Sequence, residues 1–128
     1  MKILLDTATL LWICCDPARL SPVAGAAYAD MQNTLYVSVA SLWELIVKNR
    51  IGKLPLPLPL DELIEPLKRS RAVRILPLTE SAVLRLNGLP DVHRDPFDRM
   101  LVCQAIDESL TILTPDALIK AYPVATLW

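Results

Sequence analysis

Lys2-Ile3-Leu4-Leu5-Asp6-Thr7 decides the reading of this chain: a short, mostly apolar run is halted by a carboxylate, and Leu10, Leu11, Trp12 and Cys15 then follow at helical spacing. The pattern predicts a strand over Lys2 to Leu5 and a helix over Thr7 to Cys15, with Asp6 at the joint. The same order returns further on. Ser21-Pro22 reads as an N-cap and first helical residue opening a helix to about Asp30, followed by an apolar strand at Leu35-Tyr36-Val37. From Val39 to Asn49, Val39, Leu42, Trp43, Ile46 and Val47 sit three and four apart, which predicts a helix stopped by Gly52.

Leu54-Pro55-Leu56-Pro57-Leu58-Pro59-Leu60 lacks the N–H donors of a central strand and reads as an extended connector into a helix from about Asp61 to Ser70. Beyond it, the sequence predicts a strand at Val73 to Leu76, helices over Thr79 to Leu86 and Pro96 to Glu108, and a strand at Leu110 to Leu113. A short helix from Pro115 and a strand near Ala125 to Leu127 end the chain. Apolar strands separated by helices predict an α/β fold, a three-layer α/β/α sandwich around a mainly parallel sheet. With 128 residues, one domain over 1–128 is expected.

Composition excludes several chemistries. Glycines at 25, 52 and 88 cannot write G-x-G-x-x-G or G-x-x-x-x-G-K-[ST], so phosphate-cradling loops are out. A single histidine, His93, with Cys14, Cys15 and Cys103 cannot build a His-rich or C-x-x-C zinc site, and these cysteines make a poor disulfide framework. A net charge of -1 gives no bulk attraction to nucleic acid, so any such binding must be local. The longest uncharged stretch, Met31 to Trp43, is polar within and too short to span a membrane, and Asp6 interrupts any signal-peptide run. A cytoplasmic location is expected.

In an open parallel sheet, ligands bind beyond the carboxyl ends of the strands. Asp6 ends the first strand and Asp116, in Thr114-Pro115-Asp116, follows a late one, so both belong to that rim. Glu44 lies among Leu42, Trp43, Leu45 and Ile46, where a charge needs a partner or a cation. Asp98 opens the helix carrying Met100, Leu101 and Cys103. Each acid also has a purely architectural reading. Asp6, Asp95 and Asp116 suit helix N-caps, Asp98 a capping-box position, and Glu44 with Lys48 a surface ion pair four residues apart. For Asp95, capping is the expected role.

These segments together resemble a known family over nearly the whole chain. Leu4-Leu5-Asp6-Thr7 with Leu10-Leu11-Trp12, Ser41-Leu42-Trp43-Glu44-Leu45 through Lys48 to Gly52-Lys53-Leu54, His93-Arg94-Asp95-Pro96-Phe97-Asp98-Arg99-Met100-Leu101 and Leu113-Thr114-Pro115-Asp116 are similar to PIN-domain ribonucleases of the VapC toxin type. The His-Arg-Asp-Pro-Phe-Asp-Arg string is the most specific of these. The resemblance puts the family's acidic quartet on Asp6, Glu44, Asp98 and Asp116, as both catalytic and metal-holding residues. One departure is Ala8, where close relatives often have histidine; it touches an RNA contact and leaves the metal ligands intact.

Oxygen-only donors suit Mg2+ or Mn2+, and four crowded carboxylates repel one another until a divalent cation relieves them. The resemblance implies endoribonuclease activity leaving a 5′ phosphate and a 3′ hydroxyl, a cognate antitoxin covering the crevice, and a toxin homodimer. Between Lys48 and Arg74, seven basic side chains face three acidic ones, a candidate rim for RNA phosphates or merely solvated helix faces. Arg99 could pair within the acidic cluster or contact phosphate. Trp12 and Trp43 are expected in the core. A haloacid-dehalogenase-like phosphatase is disfavoured because Ala8 removes its Asp-x-Asp pair, and a receiver domain because Asp6 stands alone. The rival from another class is a catalytically inactive PIN-like module that binds RNA or protein.

Overall fold

The computed structural model describes residues 1–128. In chain order the elements are β1 (Lys2–Leu5), α1 (Thr7–Cys15), α2 (Pro22–Ala29), β2 (Thr34–Ser38), α3 (Val39–Arg50), α4 (Leu60–Ser70), β3 (Arg74–Leu76), α5 (Glu80–Leu84), α6 (Pro96–Glu108), β4 (Thr111–Leu113), α7 (Ala117–Lys120) and β5 (Thr126–Leu127). The five strands form one sheet in the order β3-β2-β1-β4-β5, every pairing parallel.

Alternation along the strands divides the core in two. Ile3 and Leu5 face one layer with Leu10 of α1, Ala24 and Ala27 of α2, and Ile64 and Leu67 of α4. Leu4 and Ile112 face the other layer with Leu101, Val102 and Ala105 of α6 and Ile119 of α7. Period-two side chains on a sheet covered on both faces give the expected α/β/α sandwich. The chain leaves β1 toward β2 through α1 and α2, and returns from β3 to β4 through α5 and α6. A crevice therefore opens between the ends of β1 and β4, where the connections part to opposite faces.

Local signals act largely as the sequence implies. Ser21 Oγ accepts the Ala24 amide at 3.0 Å, with Pro22 at the first helical position. Gly52 takes a φ of +77°, the left-handed conformation that lets the chain turn after α3. The Pro-Leu segment joins no strand, as expected, but bends at Leu54, Pro57 and Leu58 rather than running extended into α4.

Two expectations are corrected. The predicted helix over Thr79 to Leu86 is α-helical only from Glu80 to Leu84 and tightens into a 3-10 turn over Arg85–Gly88. Asn87 and Gly88 are weak helix formers, and a tight last turn meets the exposed carbonyls. In α3 the helix is as predicted, but the buried residues are Ala40, Ser41, Glu44 and Leu45. Trp43 is 59% exposed, not in the core, and meets Phe97 edge-on at 5.1 Å. The inward face of α3 is taken by Ala40 and Leu45 in the core, Ser41 against Thr7 and Glu44 at the crevice, which leaves Trp43 outside. Trp12, by contrast, is half-buried against Trp128 with Arg19 over its ring.

The basic stretch is also divided. Arg71 is tied down: Nε donates to Tyr28 O at 2.7 Å and Nη2 to Asp30 O at 3.1 Å, with the guanidinium over the Tyr28 ring. Arg71 is thus a structural latch, while Arg50, Lys53, Arg69 and Arg74 remain exposed.

Candidate active site

Asp6, immediately after β1, caps α1: Oδ1 accepts the Thr9 amide at 2.7 Å, and Oδ2 accepts the Thr114 hydroxyl. Asp116, beyond β4, caps α7 by accepting the Leu118 amide at 2.8 Å and the Ile119 amide at 3.3 Å. Asp95 caps α6 through the Phe97 and Asp98 amides, the role expected of it. Asp98 does not close a capping box. Its Oδ2 lies 3.1 Å from His93 Nε2 instead. Asp6, Glu44, Asp98 and Asp116 all line one cleft of about 270 Å³, together with Lys48 and Asp95.

Glu44 is 4% exposed, so its pair with Lys48 is not the surface ion pair that spacing alone suggests. Lys48 Nζ donates to Oε2 at 2.5 Å, whereas the buried Oε1 has no hydrogen-bond partner. A buried carboxylate oxygen without a donor is costly, and such an atom in a polar cleft marks a place for a ligand. The Glu44 hydrogen bond, aided by the nearby charges of Glu44, Asp95 and Asp98, raises the Lys48 pKa despite opposing burial.

Burial dominates the two cleft Asp residues whose acidity departs from the ordinary. It pushes Asp98 up to about 6; the His93 contact opposes this, and the charges of Asp95, Glu44 and Asp116 add to it. Asp6 is raised too, by burial first, with the bonds from Thr114 and Thr9 pulling it back and Asp116 pushing it further. Crowded, desolvated carboxylates are the environment a divalent cation relieves.

The structure brings the four predicted acids to one cleft but not into a finished cage: no three His, Cys, Asp or Glu side chains are grouped closely enough to hold a metal ion as they stand. Each acid is anchored to its own neighbour. The chemistry of the set nonetheless fits a hard cation, with carboxylate oxygens only, an orphaned Glu44 Oε1 and an Asp98 that resists ionising alone.

Sequence reasoning missed His93, Tyr122 and Thr114. Tyr122 Oη lies 2.7 Å from His93 Nδ1, and Thr114 is wholly buried between Asp6 and the Asp116 amide. His93 was visible in the most specific string, but its spacing to Asp98 belongs to no helical or strand period. Arg99, whose role the sequence left open, turns away from the acids. Its Nη1 donates to Pro90 O at 2.8 Å, to Tyr122 Oη at 3.0 Å and to His93 O at 3.3 Å.

Comparison with known proteins agrees with this geometry. Ribonuclease VapC22 of Mycobacterium tuberculosis (strain ATCC 25618 / H37Rv) is 28% identical over 131 aligned positions, covering 98% of each chain. Among solved structures, VapBC2 from Rickettsia felis, bound to a DNA fragment from its promoter, superposes with a TM-score of 0.72 at 16% identity, covering 100% of this chain and 99% of that one. FitAcB from Neisseria gonorrhoeae does so with a TM-score of 0.60 at 23% identity, covering 98% and 96%. The family model for the PIN domain spans residues 3–124, from β1 to beyond α7, and with this sheet order and acid-lined crevice the chain belongs to the PIN domain family.

Proposed function

We propose that this protein is a metal-dependent endoribonuclease and the toxin of a type II toxin-antitoxin pair. The observation that carries the reading is the buried, unpartnered Oε1 of Glu44 in a cleft shared with Asp6, Asp98 and Asp116. Mg2+ or Mn2+ bound there would offset charge on the scissile phosphate and leaving oxygen and make a bound water a better nucleophile. Asp6, Asp98 and Asp116 would hold the ion directly or through water. Glu44, steadied at Oε2 by Lys48, would present Oε1 to a second ion or to the attacking water. No side chain need form a covalent intermediate, and the products carry 5′ phosphate and 3′ hydroxyl ends.

The RNA backbone would be held by exposed Arg50 and Lys53, the latter next to Leu54 in the cleft wall. For the antitoxin we assign the apolar groove of about 490 Å³ between α3 and α4, lined by Leu42, Ile46, Leu56, Leu60 and Ile64. Similarity to the VapBC and FitAcB proteins supports such a partner. Exposed Trp43 and Val47, on α3 outside that groove, suit the proposed homodimer.

Cleavage by the purified protein with Mg2+ or Mn2+, with chelator, and with Asp98→Asn tests the reading. Activity that disappears in both last arms is expected; activity indifferent to either overturns it. One observation favours the inactive binding module, namely that both Asp6 oxygens are already bonded within the protein. RNA retained without cleavage at every metal concentration would establish that reading.

A further inference from the structure

Beside the cleft lies a polar cluster that the chemistry above leaves unused: His93 in the loop before α6, Arg99 within α6, and Tyr122 just after α7. Tyr122 is 4% exposed, and the His93 and Asp98 side chains are 12% and 17% exposed, so their hydrogen bonds are largely shielded from water.

Donor and acceptor chemistry sets the direction of the bonds at Tyr122 Oη. Arg99 has no acceptor, so its Nη1 must donate to Tyr122 Oη at 3.0 Å, and the His93 amide donates to the same oxygen at 3.3 Å. Both lone pairs of Oη are then engaged. Its single proton has two acceptors in reach, His93 Nδ1 at 2.7 Å and His93 O at 3.5 Å, and the shorter contact wins. A ring nitrogen that accepts a hydroxyl proton carries none of its own. In the neutral ring the proton must therefore sit on Nε2, 3.1 Å from Asp98 Oδ2. Arg99 also secures the loop that carries the ring, through Pro90 O at 2.8 Å and Asp91 Oδ1 at 3.4 Å.

We propose that Arg99, Tyr122 and His93 form a positioning relay that sets the His93 tautomer and so aims the Asp98 carboxylate, engaging Oδ2 and leaving Oδ1 for a cation in the cleft. The inference rests on the reading of Asp98 as a cation-holding residue. Groups that orient a metal ligand change affinity or activity about 10- to 100-fold when removed, because the ligand loses its preset direction. His93 is a positioning residue in this scheme and touches neither RNA nor the reacting atoms.

The chain has one histidine, so a long-range 1H–15N spectrum of the metal-free protein reports His93 alone. The expected wild-type signature is a single tautomer protonated at Nε2; one protonated at Nδ1 overturns the relay. Tyr122→Phe, which keeps the ring and deletes the hydroxyl, is expected to mix the tautomers and to weaken Mn2+ binding by calorimetry about ten-fold. It should lower kcat with KM for RNA unchanged. In a His93→Ala background the same substitution should add nothing, whereas additive losses or unchanged Mn2+ affinity overturn the proposal. Asp98→Asn is the control for the function itself. If the wild type neither binds Mn2+ nor cuts RNA, the proposed function falls, and the ring spectrum still decides the relay.

Discussion

The Thr114 hydroxyl donates to Asp6 Oδ2, and Thr114 Oγ1 itself accepts the Asp116 amide at 3.0 Å, so one buried side chain couples the acid after β1 to the acid after β4. Thr114 is the first residue beyond β4, which pairs in register with β1, and the parallel pairing itself brings these groups together.

Thr114→Val keeps the shape of the side chain and removes both bonds. The expected cost is about 1–3 kcal/mol, because buried Asp6 loses a donor and the Asp116 amide an acceptor. Asp6 should become harder to ionise, since the Thr114 bond holds its pKa down. Urea unfolding at neutral pH checks the first expectation, and weaker Mn2+ binding the second. A variant as stable as the wild type would show the coupling to be energetically idle.

Asp98 gives the metal-free protein a definite pH dependence. Its pKa rises from 3.8 to about 6 on folding, so between those values the native state binds a proton that the unfolded chain has released. Stability must then fall as pH rises through that window, by up to about 3 kcal/mol for a shift of this size. Asp6, raised for the same reason, adds in the same direction. Asp98→Asn should flatten the profile and stabilise the metal-free protein at pH 7 while abolishing cleavage. Thermal unfolding from pH 4 to 8 in chelator measures this; a wild-type midpoint that climbs across that range contradicts it.

Lys48 occupies the cleft that a cation would enter. Lys48→Met should cost about 1–2 kcal/mol, since it strips buried Glu44 of its partner but removes a side chain that is 43% exposed and partly screened. With more uncompensated negative charge, the variant should gain more from added Mn2+ than the wild type does. The comparison of Mn2+-induced shifts in melting temperature tests this, and a smaller shift in the variant refutes it.

Arg71 and the exposed pair Arg50 and Lys53 should separate cleanly. Arg71→Ala is expected to lower the melting temperature, since Tyr28 O and Asp30 O lose their donors, and to leave the salt dependence of RNA retention unchanged. Arg50→Ala with Lys53→Ala should do the reverse, flattening the slope of log affinity against log salt. Retention by the Asp98→Asn protein across salt concentrations is the assay.

Much of the site was readable because its acids stand at joints. Asp6 and Asp116 close apolar runs and begin helices, and strand ends meeting helix starts are visible in a single sequence. Their capping roles and their places on the cleft wall come from the same geometry. Trp43 misled because periodicity reports that a helix is amphipathic without saying which face the core takes; here polar Ser41 and Glu44 went inward. Thr114, His93 and Tyr122 were illegible for another reason. Their meaning lies in contacts between residues far apart in the chain, such as Tyr122 with His93, which no local spacing encodes.

The β1 and β4 pairing has a further consequence for a protein made on a ribosome. Asp6 is made well before the hydroxyl that secures it, which lies 108 positions later, just past the strand beside β1 on that side. Until β4 is made, the nascent chain therefore carries Asp6 and Glu44 with an open flank in the sheet and without Asp116 across the cleft. Synthesis of β4 and the turn after it completes the cleft, so whatever that cleft does waits on residues 111–116.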